Sequence, residues 1–308
     1  MLKVYYDPSF LKHQPGGWHP ESSARLESIL EIVGKIDGIE LVDNCREATR
    51  DEIELVHTSR HFDYIKSLPL EQVMIDPDTG YSEGSWEASL KAVGATVEAA
   101  KFVTAGENRR AFCAVRPPGH HASPDRTKGF CIFNNIAIAA AYALKAKLAE
   151  RIAIIDWDVH HGNGTQAAFY ANPDVLYISS HQYPFYPGTG SSKEKGESAG
   201  EGYTLNIPLA HAADDAAIRN VYADIAIPEV DKFKPDLIMI SAGFDAHAHD
   251  PLAGLNFSSE IFGELTKMVV DLAGKHCYGR IVSVLEGGYN LIALKESVEY
   301  HLKELLNG

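Results

Sequence analysis

Short, almost continuously apolar runs rich in β-branched residues recur along this chain: Val4–Tyr6, Ala111–Val115, Ile152–Asp156, Val175–Ser179, Leu205–Ile207, Leu237–Ser241 and Ile281–Leu285. Each is about five residues long and lacks the polar alternation of a half-exposed strand. Such runs suit strands buried on both faces, as in parallel sheets. Helical periodicity lies between them. Residues 85–105 place Trp86, Leu90, Val93, Val97 and Ala100 on one stripe, with Ser85 as the expected N-cap and Gly106 beyond the end. Residues 136–149 are apolar nearly all round. Residues 259–273 carry Ile261, Leu265, Met268 and Leu272 before Gly274, and residues 291–306 carry Leu294, Val298, Leu302 and Leu305. Alternating strands and helices predict an α/β class with a mainly parallel sheet flanked by helices.

The 308 residues contain no composition shift that marks a boundary. The polar, glycine- and serine-rich stretch 188–202 reads as a loop inside a domain, so one domain over residues 1–308 is expected. A chain of this length buries a core without disulfides. Cys45, Cys113, Cys131 and Cys277 are scattered with no CxxC pair. No apolar leader and no membrane-length apolar run is seen, and a reducing, cytoplasmic setting is expected. The net charge of −14 argues against direct nucleic-acid binding and suits a cationic substrate through steering.

Ligands of open α/β sheets bind beyond the carboxyl ends of the strands, and there the reactive residues gather. Ala111–Val115 leads into Arg116-Pro117-Pro118-Gly119-His120-His121. Ile152–Ile155 leads into Asp156-Trp157-Asp158-Val159-His160-His161-Gly162-Asn163-Gly164. Leu237–Ile240 leads into Ser241-Ala242-Gly243-Phe244-Asp245, and Ile281–Leu285 into Glu286-Gly287-Gly288-Tyr289. At a fraying strand end, spacing by two puts Asp158 and His160 on one face, where they can converge on a cation. Asp245 from another strand would complete a set of two carboxylates and one imidazole. Three protein ligands leave an open position, as a catalytic zinc needs, and the oxygen-rich set also admits Fe²⁺. His120 or His121 beside such a metal could act as general base and acid, with Asp156 as a candidate carboxylate behind the ring. Tyr289 could hydrogen-bond a carbonyl oxygen as it becomes an oxyanion. Phe130 and Tyr186 could wall a channel for an aliphatic stem.

With these motifs assembled, the sequence resembles the arginase–deacetylase superfamily, specifically class II-type histone deacetylases and the histone deacetylase-like amidohydrolases. The resemblance rests also on His19-Pro20-Glu21, Gly129-Phe130-Cys131-Ile132-Phe133-Asn134-Asn135 and Thr165-Gln166, in the family's order over nearly the whole chain. It implies an eight-stranded sheet and zinc-dependent removal of acetyl groups from lysine side chains. It implies Zn²⁺ on Asp158, His160 and Asp245, His121 as base and acid, His120 backed by Asp156, and Tyr289 on the acyl carbonyl. Gly129, Phe130, Tyr186 and Leu252 would form the substrate tunnel, with Asp78 and Thr79 at its rim. A structural K⁺ would use Asp156, Ser179 and backbone carbonyls of Asp158, His160 and Ser180. Asn163 stands where class I members carry a second aspartate. Tyr289 is retained where one weakly active subgroup has histidine. Leu252 stands where polyamine-selective relatives carry a glutamate. The implied partner is an acetylated lysine protein or peptide; a small acylated amine such as an acetylpolyamine is the runner-up. An inactive acyl-lysine binder and a two-metal ureohydrolase are further alternatives, and the oligomeric state is left open.

Overall fold

A computed structural model describes residues 1–308. Its ten strands are β1 (Leu2–Tyr5), β2 (Ile39–Val42), β3 (Val73–Asp76), β4 (Thr79–Tyr81), β5 (Arg110–Cys113), β6 (Ile152–Asp156), β7 (Val175–Gln182), β8 (Thr204–Leu209), β9 (Leu237–Ala242) and β10 (Ile281–Leu285). Eight of them form one sheet in the order β2-β1-β5-β10-β9-β6-β7-β8. Every pair in it is parallel. Every residue of β5, β6, β9 and β10 is buried, which is why these runs carry no polar alternation. Helices cover both faces, and 79 buried hydrophobic residues form one contiguous cluster, so the chain is a single α/β domain.

All seven expected strands are present. The edge strand β2 gave no apolar run because its burial alternates little and two of its four residues are exposed. The hairpin β3–β4, antiparallel and outside the main sheet, also lies outside the expected pattern. Two helix ends differ from expectation. Gly84, not Ser85, is the N-cap of helix 85–104, because the Ser85 hydroxyl is engaged by the Ser82 backbone N–H and by His13 Nδ1. Helix 259–276 continues through Gly274 for two further residues. Two helices near the site start on side-chain caps: Asn134 accepts from Ala137 N, and Asn290 from Ile292 N and Ala293 N.

β5, β10, β9 and β6 lie side by side in the middle of the sheet. The four segments that carry the candidate residues therefore leave the same edge next to one another. All four cysteines are buried and free. No helix is long and apolar enough to cross a membrane.

Candidate active site

The spacing by two at the end of β6 works as its geometry suggests. Asp158 Oδ1 accepts from the His160 backbone N–H at 2.9 Å and lies 3.1 Å from His160 Nδ1. Asp245, delivered from β9, places Oδ2 at 3.1 Å from the same ring nitrogen. One ligand atom from each of Asp158, His160 and Asp245 lies within 4.8 Å of the others, and all three residues are buried. The remaining carboxylate oxygens are tied down: Asp158 Oδ2 accepts from Gly287 N at 2.8 Å, and Asp245 Oδ1 from Val159 N at 2.9 Å. Asp245 Oδ2 is buried without a hydrogen-bond partner. An orphaned carboxylate oxygen turned toward an imidazole nitrogen and a second carboxylate fits a divalent cation. Gly243 and Gly287 are glycines because a Cβ at either would overlap the Asp158 or Asp245 carboxylate.

The charges agree with that crowding. Burial, reinforced by the Asp158 carboxylate, pushes Asp245 up to about 7. Burial opposes the charged form of His160, but Asp158 and Asp245 outweigh it and raise the ring to about 10. Burial likewise opposes ionisation of Asp158, yet His120 and His160 hold it well below the usual carboxylate range.

The two tandem histidines stand with ring centroids 4.1 Å apart and planes tilted by 46°. Glu286 Oε2 fixes their turn by accepting from Gly119 N at 2.7 Å and His120 N at 3.1 Å. Their second ring partners differ. His120 Nδ1 donates to Asp156 Oδ2 at 3.0 Å. Burial would lower His120, but Asp156 first, then Asp158 and Glu286, raise it well above the ordinary histidine value. His121 Nδ1 faces Asn163 Oδ1 at 2.8 Å, while the Asn163 amide donates to His121 O and Ser123 Oγ. Asn163 is thus oriented as an acceptor, so His121 carries its proton on Nδ1 and presents the Nε2 lone pair. Burial, then the neighbouring His120 and His160, hold His121 well below the ordinary value. The two rings are thus pushed in opposite directions, His120 toward its charged form and His121 toward its neutral one.

A cavity of about 190 Å³ opens onto these groups, lined by Asp78, His121, Gly129, Phe130, His160, Phe185, Tyr186, Leu252 and Tyr289. All four residues expected in the tunnel line it. Phe130 meets Tyr289 edge-on at 5.8 Å, and Tyr186 meets His121 edge-on at 5.3 Å. Phe185, which the sequence reading passed over, stacks on His160 at 5.7 Å. Phe130 sits at φ 68°, a conformation that costs about 1–3 kcal/mol without glycine. Its N–H is held by Thr79 Oγ1 at 3.1 Å and that of Gly129 by Asp78 Oδ1 at 3.0 Å.

Other supporting residues also escaped the sequence reading. Asp250 accepts from Tyr289 N at 2.7 Å and Leu252 N at 3.0 Å. Arg25 donates to Gly288 O at 2.7 Å and to Glu286 O, and its guanidinium lies 5.0 Å over the Tyr289 ring. Glu21 binds Arg25 and Arg116 from below, fully buried. Asp250 and Arg25 lie near the motifs, five residues after Asp245 and four after Glu21, but single polar residues give no periodic signal of what they bind. Asp156 and Ser179 are register partners on β6 and β7, and Ser180 follows on β7.

Sheet, strand-end cluster and aromatic cavity together define a domain of the arginase–deacetylase superfamily. The histone deacetylase domain model matches residues 19–305. The chain is 41% identical to a probable deacetylase of Archaeoglobus fulgidus over 94% of this chain and 81% of that one. It is 38% identical to a histone deacetylase-like amidohydrolase of Pseudomonas aeruginosa, covering 92% and 78%. It is 41% identical to the chloroplastic histone deacetylase 14 of Arabidopsis thaliana, covering 94% and 73%. The crystal structure of the HDA15 HD domain superposes with a TM-score of 0.93 at 37% identity, over 99% of this chain and 88% of that one. The chain belongs to the histone deacetylase family.

Proposed function

We propose that this chain is a zinc-dependent lysine deacylase, most readily a deacetylase, whose catalytic domain comprises residues 1–308. The reading is carried by one observation: His160 of the buried Asp158–His160–Asp245 cluster lines one narrow, mostly apolar cavity together with His121 and Tyr289. Asp158, His160 and Asp245 would hold the ion, Zn²⁺ first and Fe²⁺ as an admissible substitute for this donor set. When bound, it supplies Lewis-acid polarisation of the acyl oxygen and of a water molecule.

The chain's own residues do the rest. His121 Nε2 takes the proton of the attacking water and later returns it to the leaving amine. His120, which Asp156 pushes toward its charged form, would place positive charge beside the developing anion. The Tyr289 hydroxyl donates to the acyl oxygen as that oxygen gains charge, and Asp250 and Arg25 fix the turn that carries it. Gly129, Phe130, Phe185, Tyr186 and Leu252 enclose the four-carbon stem and exclude water. A monovalent cation, K⁺, on Asp156, Ser179 and the carbonyls of Asp158, His160 and Ser180 would neutralise buried charge. The four unpaired cysteines support a reducing compartment, the cytoplasm in the simplest case.

A lysine stem is favoured over a polyamine by the lining. Its one carboxylate outside the metal cluster, Asp78, already accepts from Tyr186 OH, Gly129 N and Thr79 Oγ1. No unpaired carboxylate in the lining is offered to a second ammonium. The test is kcat/KM on an acetyl-lysine peptide and on acetylputrescine, each with and without chelator. Chelator-sensitive preference for the peptide supports the reading. Preference for acetylputrescine moves the chain to the polyamine branch, and tight binding without turnover makes it an acyl-lysine binder.

A further inference from the structure

The chain has eleven arginines, and nine of them bind a carboxylate or a backbone carbonyl through the guanidinium. The two that form no side-chain hydrogen bond, Arg60 and Arg126, line one cavity of about 370 Å³ together with His61, Tyr64 and Asp125. None of these five residues lines the catalytic cavity. Two segments bring them together: the helix Ser59–Lys66 and the turn that follows the tandem histidines. Backbone groups join the two. Thr58 N donates to Pro124 O at 2.8 Å, and His57 Nδ1 donates to Ser123 O at 3.1 Å. The turn is closed by a pair of backbone hydrogen bonds between Ser123 and Arg126, at 3.0 and 3.3 Å. Arg60 and Arg126 are thus carried at backbone positions fixed before any ligand arrives.

The cavity offers polar groups of both kinds. The two guanidiniums are donors, and in a chain of net charge −14 they are the local attraction for an anion. His61 Nε2 donates to Ile132 O at 2.9 Å, so the neutral ring keeps Nδ1 as an acceptor that no protein group meets. The ring is 3% exposed, and burial holds it below the ordinary histidine value. The unpaired Asp125 carboxylate is a second acceptor. Sulfate or a carboxylate would suit the guanidiniums but has no hydrogen to give to His61 or Asp125. A phosphate with at most one ester link has anionic oxygens and, with a second pKa of about 6, keeps a hydroxyl on part of its population near neutrality. We propose that this cavity binds a phosphate group, as the free ion or as a monoester, with Arg60 and Arg126 holding its anionic oxygens and Asp125 and His61 accepting from its hydroxyl. The bound group bridges the helix and the turn. That turn carries Ser123, whose hydroxyl accepts from the Asn163 amide at 3.3 Å, and so leads to the residue that orients His121.

The experiment is isothermal titration of the metal-loaded protein at neutral pH and constant ionic strength. The titrants are inorganic phosphate, a short phosphoserine peptide and sulfate. Phosphate should bind once per chain, and sulfate roughly tenfold more weakly or worse, the scale of one hydrogen bond to a charged group. Arg60→Ala and Arg126→Ala should each weaken phosphate by roughly tenfold, and the double variant should show no binding. Asp125→Asn should bring sulfate close to phosphate, because the amide donates where the carboxylate repels. Each variant should keep kcat on an acetyl-lysine peptide within about twofold of wild type, which also reports that it is folded. Tighter binding of the peptide assigns the site to a monoester, and tighter binding of inorganic phosphate assigns it to the free ion. Phosphate binding that survives in the double variant, sulfate binding equal to phosphate in wild type, or no binding of either phosphate form overturns the proposal. None of these outcomes bears on the acyl-lysine reading, whose own test contains no phosphate.

Discussion

His121 Nδ1 lies 2.8 Å from an amide oxygen, that of Asn163, whereas its neighbour His120 points the same ring atom at the Asp156 carboxylate 3.0 Å away. The amide orients the ring without pulling a second proton onto it. Replacing Asn163 by Asp should place a full negative charge there and raise the proton affinity of His121. The acid limb of the kcat/KM–pH profile should then move up by about one unit or more. An unchanged limb would remove His121 from the role of base.

The Tyr289 hydroxyl is the one phenol offered to the acyl oxygen. Tyr289→Phe keeps the ring beneath the Arg25 guanidinium and should leave the fold intact. kcat should fall by ~10²–10³, the usual loss for one oxyanion donor, with a smaller change in KM. Near-normal kcat in this variant would refute the assignment.

Three buried ligand residues with one orphaned oxygen predict a single divalent ion per chain. Metal analysis should find about one equivalent of zinc in wild type and close to none in Asp245→Ala. Because the ion binds only the folded chain, loading should raise Tm and chelator should lower it. Full occupancy in Asp245→Ala would mean that the ion sits elsewhere.

Acid should unfold the protein through histidines remote from the ligand set. Burial first holds His57 and His301 down to about 3 and His13 to about 4, so all three are neutral when folded. The unfolded chain binds these protons below pH 6.5 and the native state does not. Their contribution is present above pH 6.5 and is lost as pH falls toward 4, at up to about 4 kcal/mol per pH unit together. Denaturant midpoints measured from pH 7.5 to 5 check this. A flat profile would show that these rings are protonated in the native state.

Glu21 acts in the same acidic range. Burial opposes its charge, yet Arg116 outweighs burial and holds it down to about 2. Glu21→Gln leaves two buried guanidiniums, Arg116 and Arg25, without their counter-charge and should cost about 3–5 kcal/mol of stability. Equilibrium unfolding at neutral pH gives that number directly, and a loss below about 1 kcal/mol would mean that solvent reaches the pair.

The central strands and the catalytic segments were legible because each joins a continuous apolar run to a dense cluster of acids, imidazoles and glycines. Asp158, His160 and Asp245 needed only spacing and strand order. A catalytic metal, an imidazole base and a phenol donor were suggested by the residue types and their spacing, whereas potassium and the division of roles between His120 and His121 came from resemblance. Phe185 was not legible, since its neighbour Tyr186 carries the same aromatic signal and only the loop's path shows that both face inward. The supporting contacts of Asp250, Glu286 and Arg25 were silent for another reason: a carboxylate that binds a backbone N–H, or a guanidinium that binds a backbone carbonyl, leaves no repeating mark in the chain. The cap at Ser85 was misassigned because its hydroxyl, suited to a helix start, is occupied from another loop by His13.

β10 is the last strand made, yet it pairs with β5 on one side and β9 on the other, Ile281 lying opposite both Arg110 and Ile238. A growing chain must therefore keep a slot open in the middle of its sheet until β10 has been synthesised. Until then His121 and Asp245 stand on opposite banks of a gap, with apolar edges exposed on both. Gly287, which anchors Asp158, and Tyr289 follow that strand, so the site is assembled only with its insertion. The same slot is the place where a stalled chain would be captured by a chaperone or by another copy of itself.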